Sequence, residues 1–428
     1  MTAQTKTTWR KVKLDEGDGL SLIIDHRGIT PKKLGGNWDS VGIPALSAKN
    51  IKNGQIINQA GIRYVSQKLY DRWMREKLRP GDVLLTSEAP LGELYFLKEK
   101  KDYCLSQRLF ALRANPNILN PNYLYYFLKS VKGQHELMRR ISGTAAQGIR
   151  QAELRKIEIS APVDILEQHR IVSALSAFDD KIELNNKISK NLEQTAQAIF
   201  NEWFVNFKFF GHEKVKMVDS KLGKIPEGWK VKKFGELLKL KHGHGFKSEE
   251  FGEERTNRIL VRMGNFKETG GLQFDDNTKY LKSDTYNKKN QLLPNDLVMV
   301  LSDITRDGRI IGRVGLIPKD EKVYLLNQRV AKIEMEEKFK LFLFFYFNSK
   351  KFKEHCLSRA DSATVLNLKN DHIYEIKMAI PENNILDKFN GLVLPIFKKN
   401  REIENENQKL AALRDLLLPK LMSGEIRL

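Results

Sequence analysis

The 428-residue sequence predicts an α+β chain. It reads as two duplicated globular domains separated by two long antiparallel helices, a coiled-coil spacer, with the halves related by a pseudo-twofold axis. Three observations predict this. Four stretches recur in the same order in each half, a long heptad-patterned segment follows each half, and short strand-like runs bounded by Pro, Gly and Asp fill the halves themselves.

The repeat begins with Trp9 in WRKVKL and Trp229 in WKVKKF. LRPGDVLLTSEAPLGEL, from Leu78, then parallels LLPNDLVMVLSDITRDG, from Leu292, so that Pro80 and Asp82 fall on Pro294 and Asp296. YCLSQRLFAL, from Tyr103, parallels YLLNQRVAKI, from Tyr324, which puts Gln107-Arg108 on Gln328-Arg329. Last come NYLYYFLKS and LFLFFYFNS, each followed by a tract that ends at a proline, Pro162 or Pro381. The predicted layout is a first domain over 1–162, a central helix over 163–208, a linker and second domain over 209–381, and a C-terminal helix over 382–428.

Within the halves, strands are expected at Asp82 to Leu85, Leu297 to Leu301 and Ile157 to Ile159, and the loop Asp303 to Gly308 is expected to project between strands. A helix should start after Asn120-Pro121, because Asn caps helices and Pro suits the first helical position. In the helical stretches, Leu175, Ile182, Ser189, Ala196 and Trp203 fall seven apart, as do Phe178, Asn185, Leu192 and Ile199. The second stretch repeats the pattern with Phe389, Ile396, Ile403, Leu410 and Leu417, beside a column of Val393, Asn400, Asn407, Arg414 and Leu421. Such seams need a partner. Pairing with each other is the expected solution, packing of each helix on its own domain the alternative, and Asn185, Asn400 and Asn407 would set the register. Pro395 is expected to kink or restart the second helix.

Composition bounds the chemistry. A formal charge of +20 points to a polyanionic partner, nucleic acid before membrane, against the plainer reading of charge for solubility. Cys104 and Cys356 are isolated, which argues against disulfides and zinc sites and for a reducing compartment. The opening MTAQTKTTWRKVK has no apolar signal core and no apolar run is long enough to span a bilayer, so a soluble, cytoplasmic protein is expected. Neither a P-loop nor a dinucleotide-binding glycine pattern occurs. His242 and His244 lack the helical spacing of a zinc pair. Asn120-Pro121-Asn122-Tyr123 lacks the second Pro of the amino-methyltransferase tetrapeptide, and helix capping explains it better. No metal site and no catalytic centre is expected.

The repeat, the paired helices and several motifs together resemble the specificity subunit of type I restriction–modification systems. MVDSKLGKIPEGWKVKKFGELLKL, from Met217, resembles the family's entry into its second target recognition domain, and RGITPKK, from Arg27, a motif near the start of the first. LEQTAQAIFNEWFVNF, from Leu192, and LRDLLLPKLMSGEIRL, from Leu413, resemble its conserved helical regions. The resemblance covers essentially the whole chain. It implies two recognition domains that read a bipartite double-stranded DNA site, and a complex with two methylation subunits and, for cleavage, two restriction subunits. S-adenosylmethionine, ATP and magnesium would belong to those partners, with no cofactor in this chain.

DNA contacts call for Lys and Arg on phosphates and for Arg, Lys, Asn and Gln on base edges. The candidates are Arg27, Lys32, Lys33, Lys49, Gln107, Arg108, Gln147 and Arg150 in the first domain. In the second they are His244, Lys247, Arg262, Asn265, Arg306, Arg309, Gln328 and Arg329. The repeated Gln-Arg pair reads equally as structural, with Arg paired to a carboxylate. Lys98, Lys100 and Lys101 read as a solvated run. Phe200, Trp203 and Phe204, with Leu416 to Met422, would either close the helix–domain junctions or touch methylation subunits. Two other readings stay open: a single-chain restriction–methylation enzyme, and a coiled-coil scaffold that binds DNA without sequence preference.

Overall fold

A computed structural model describes residues 8–142, 147–275, 277–305, 307–360 and 365–428. The chain divides into two compact units, Met1–Asn186 with Glu404–Leu428, and Lys187–Ile403. Each unit therefore holds one globular domain and a segment of both long helices, Ile165–Phe200 and Asn383–Ser423.

The two domains share one strand plan. In the first unit the main sheet runs Leu20–Asp25, Leu109–Ala114, Val83–Ser87, Leu91–Phe96, antiparallel throughout. In the second it runs Leu238–His242, Val330–Met335, Leu297–Val300, Val314–Leu316, again antiparallel. The Trp-led repeats form Trp9–Lys13 and Lys230–Lys233, which pair antiparallel with Glu158–Pro162 and Lys377–Ile380, the strands just before the long helices. A small lobe repeats as well. Ile43–Leu46 lies between antiparallel Arg63–Val65 and parallel Cys104–Leu105, as Arg258–Val261 lies between antiparallel Lys279–Leu281 and parallel Val323–Leu326.

The repeated Pro-x-Asp segment explains why the central strand starts where it does. Gly81 and Asn295 take left-handed φ values of 96° and 69°, which favour Gly and tolerate Asn. Asp82 and Asp296 then turn their carboxylates back onto Arg79 N and Leu293 N, each at 2.8 Å. Both aspartates take a basic partner from the neighbouring strand, bidentate Arg113 in one case and Lys332 in the other. Two helices follow the sheet in each unit. Pro121–Lys129 is capped by Asn120, whose side chain accepts from Asn122 N and Tyr123 N. Val131–Arg139 and Lys350–Arg359 are capped by Ser130 and Ser349.

The helix segments pair antiparallel inside each unit. In the first, Ile171, Val172 and Leu175 are buried with Leu418, Leu421 and Met422, and Leu417 packs alongside. Further along, Asp179 meets Arg414, and Asn185 donates to Asn407 and Glu406 at 2.9 Å. Phe178, Ile182 and Leu410 are half-buried there. In the second unit Ala196, Phe200, Trp203 and Phe204 share a core with Ile385, Leu386, Phe389 and Val393, and Ile199 and Ile396 pack against it. Leu192 is half-buried and Ile403 buried. Both seams also lie on their own domain's core, so the two expected packing modes occur together.

Some expectations need correction. The second helix runs unbroken from Asn383 to Ser423 through Pro395. Losing one backbone bond costs about 3 kcal/mol, and buried Leu386, Phe389 and Val393 on one side with Ile396 on the other offset it. Of the two readings of Phe200, Trp203 and Phe204, closure of the junction fits their burial in the core. Lys98, Lys100 and Lys101 are exposed, as a solvated run requires, and Lys98 in addition bonds Asp180 at 2.9 Å and Glu183 at 2.7 Å on the first long helix. The loop from Asp303 to Gly308 does not project at its ends. Asp303 and Gly308 are both buried, because Asp303 accepts from Thr305 N, Thr305 Oγ1 and Ile310 N and folds the loop on itself.

Candidate nucleic-acid interface

In both units the loops that carry the candidate residues gather at one end of the main sheet, around the Gln-Arg turn. Arg108 and Arg329 sit in left-handed backbone, φ 65° and 69°. Their carbonyls accept from Ser87 N at 2.9 Å and Leu301 N at 2.8 Å, at the end of the central strand. In the first unit Gln107 O also accepts from Ala48 N (3.2 Å), Ser87 O from Ile149 N (3.0 Å), and Ile149 O from the Arg27 guanidinium (3.0 Å). In the second unit Gln328 N donates to His244 O (2.8 Å), Asn327 N to Val261 O (3.4 Å) and Leu368 N to Leu301 O (2.8 Å). The backbone of the repeated pair is thus structural, while all four of its side chains are exposed.

Around this corner the first unit exposes Lys49, Gln107, Arg108, Gln147 and Arg150. Arg108 lies 3.5 Å from Glu88 and leaves about half its surface open. Lys32 and Lys33 are exposed further out on the turn Lys32–Leu34, with Lys33 Nζ donating to Gly28 O at 2.7 Å. Arg27 is a fastener instead of a free cation. Both Asp25 oxygens accept from it at 2.8 Å, and its guanidinium lies 3.9 Å from the centre of the Phe110 ring. An arginine so committed holds the loop to the sheet.

The second unit exposes His244, Lys247, Arg309, Gln328 and Arg329. His244 packs its ring edge-on against Phe246, and neighbouring His242 bonds Asn370 at 2.8 Å. Arg262 is half-buried beside the Phe251 ring, 4.9 Å from its centre. Asn265 must leave the list of base readers. It is buried, accepts from Arg262 N and donates to Gln273 O. Asn50 does the same in the first unit with Ser47 N and Ile57 O, so this is a loop cap built twice. Arg309 is exposed and bonds Asp307 at 2.9 Å, a contact that holds the Asp307 carboxyl below the usual range. Arg306 lies outside the described residues.

The sequence reading missed the carboxylates that build the corner: Asp25, Glu88 and Asp303. Spacing did offer a signal, since Asp303-Ile304-Thr305 suits a side-chain turn and Asp25 stands two residues before Arg27. Burial pushes both thiols, Cys104 and Cys356, up to about 12, far from thiolate reactivity at neutral pH. Among the described residues no group of three or more His, Cys, Asp or Glu is placed to hold a metal, and no helix is long and apolar enough to cross a membrane.

Comparison with known proteins agrees with this duplicated plan. Residues 8–194 and 226–414 each match the family model for the type I restriction modification DNA specificity domain. The chain is 28% identical over 405 residues to the MjaIX specificity subunit of Methanocaldococcus jannaschii, covering 94% of this chain and 90% of that one. It is 25% identical over 418 residues to the HindI specificity subunit of Haemophilus influenzae, covering 82% and 88%. The crystal structure of the type I restriction–modification S subunit from M. genitalium superposes with a TM-score of 0.53 at 17% identity, covering 98% of each chain, a likeness of fold. The chain belongs to the type I restriction modification DNA specificity family, whose domain it carries twice.

Proposed function

We propose that this chain is the DNA-reading specificity subunit of a type I restriction–modification complex. The loop corner of each unit reads one half of a bipartite double-stranded site, and the paired helices set the spacing between the halves. The chain carries no catalytic centre. It recruits two methylation subunits and, in a cleaving complex, two restriction subunits, and S-adenosylmethionine, ATP and magnesium are bound by those partners in the cytoplasm.

One observation carries the reading: an exposed Gln-Arg pair stands on the same strained turn at the same corner of both units, ringed by exposed cations. Arginine recognises guanine and glutamine recognises adenine through paired hydrogen bonds to base edges, while lysines on the rim hold phosphates. Steric strain in the turn fixes where those side chains leave the backbone.

Arg329→Ala tests it. The account expects a loss of about 1–3 kcal/mol in specific binding and a relaxed preference at one position in one half-site. Arg108→Ala should do the same to the other half. Binding of selected duplexes by the purified complex reads both. Loss of preference in neither half would exclude the corner as the reader.

A further inference from the structure

We infer that Arg63, held over Trp38 in the small lobe of the first unit, is a phosphate-positioning residue for the DNA that this unit reads. The inference rests on the proposed function. It assigns a contact outside the loop corner, at a place no sequence motif marked.

Arg63 is exposed on the edge strand Arg63–Val65, and its guanidinium carbon lies 3.9 Å from the centre of the Trp38 ring. Trp38 is fixed in turn. It packs on Trp73 with ring centres 6.0 Å apart, and Asp39 pairs through its backbone with Tyr64. The indole thus holds the guanidinium in place, and its N–H donors take no protein acceptor among the described residues. Among the described residues no carboxylate pairs with Arg63, although Asp39 stands next in sequence to Trp38. Lys32, Lys33, Lys68 and Arg72 are exposed on the elements flanking the same lobe and outnumber the exposed carboxylates there, Asp39 and Asp71, of which Asp71 is already paired with Lys77, so the excess charge favours an anion. A planar fork of donors held rigid on an aromatic ring suits a phosphate oxygen pair, because little side-chain entropy remains to be lost.

The second unit supplies a control. Lys279 holds the corresponding place on Lys279–Leu281, a strand that Phe251–Gly252 covers on its other side, and there Glu253 neutralises it at 2.6 Å. One repeat leaves the cation at this position open and the other pairs it internally.

The test uses the full chain in its complex and a random-sequence duplex library from which the wild type enriches its own site. Affinity for that duplex is then measured from 50 to 200 mM salt. Each phosphate contact contributes about 0.9 to the slope of log affinity against log salt. Arg63→Ala should therefore reduce the slope by about 0.9, so that its deficit shrinks about 3.5-fold across that fourfold range. The enriched sequence should not change. Arg63→Lys should restore the slope, and Lys279→Ala should leave it as in the wild type. An unchanged slope for Arg63→Ala, or an altered base preference with the slope intact, overturns the assignment. So does an equal loss from Lys279→Ala. A wild type that enriches no sequence fails at an earlier point, overturning the DNA-reading role itself.

Discussion

The two units fasten the long helices to their domains in different ways. In the first, a polar cluster is added to the apolar seam. Asp179 accepts from the Tyr126 hydroxyl at 2.8 Å, from Lys129 at 3.4 Å and from Arg414, which also reaches Asp415 at 2.8 Å. In the second, rings do it. Phe204 and Phe389 meet edge-on at 4.8 Å, and Phe345 lies 5.6 Å from Phe397 and 5.9 Å from Phe200. The repeat makes the swap legible. With the capping Ser130 placed on Ser349, Tyr126 falls on Phe345 and Lys129 on Asn348, so the second unit lacks both the hydroxyl and the amine. One architecture thus tolerates two fastening chemistries. Directional bonds fix a single geometry and fail when charge is removed, whereas ring packing depends on filled volume.

Phe389→Ala should do the most damage. The side chain is wholly buried and touches Phe200, Trp203, Phe204 and Phe345, so its loss should cost about 3–5 kcal/mol. Hydrogen exchange should show the second unit opening while the first keeps its protection. Asp179→Ala comes next, at about 2–3 kcal/mol in the first unit, since it strands Lys129 and Arg414 in partly buried surroundings. A double-mutant cycle with Arg414→Ala should show strong coupling, and additivity there would break the comparison.

Acid should separate the junctions more gently. Burial pushes the Asp179 carboxyl up, but Lys129 and then Arg414 outweigh it and hold it below the usual carboxylate range. A folded-state value below the unfolded one stabilises above the unfolded value, near pH 4, and that contribution fades as pH falls through the folded value. Asp179→Asn should therefore flatten the acid limb of the first unit's stability curve and leave the second unit's unchanged. The smallest effect is expected from Asn185→Leu. It removes two hydrogen bonds but adds apolar area at the seam, for a net change within about 1 kcal/mol, with a looser helix register as its signature in exchange data.

Much of the fold was readable because duplication marks positions that backbone geometry requires. Gly81 and Asn295 share a left-handed turn, Asp82 and Asp296 share a backbone cap, and Asn120-Pro121 starts a helix as residue chemistry demands. The heptads located the seam. Pro395 misled because local propensity was overridden by burial on both sides of it. Site residues were less legible. Arg27 and Asn265 have the chemistry of base readers, but Asp25 and a loop backbone claim them, and those partners are fixed only by the fold. Conversely, Arg63 gains its meaning from Trp38, twenty-five residues earlier and on another segment.

The most direct test of the account is selection from a random-sequence duplex library by the full chain with its methylation subunits, repeated with Arg329→Ala. The account predicts two short preferred blocks separated by a constant number of unread base pairs, of which the variant alters one. A single uninterrupted block, or a variant that alters both blocks equally, would contradict it.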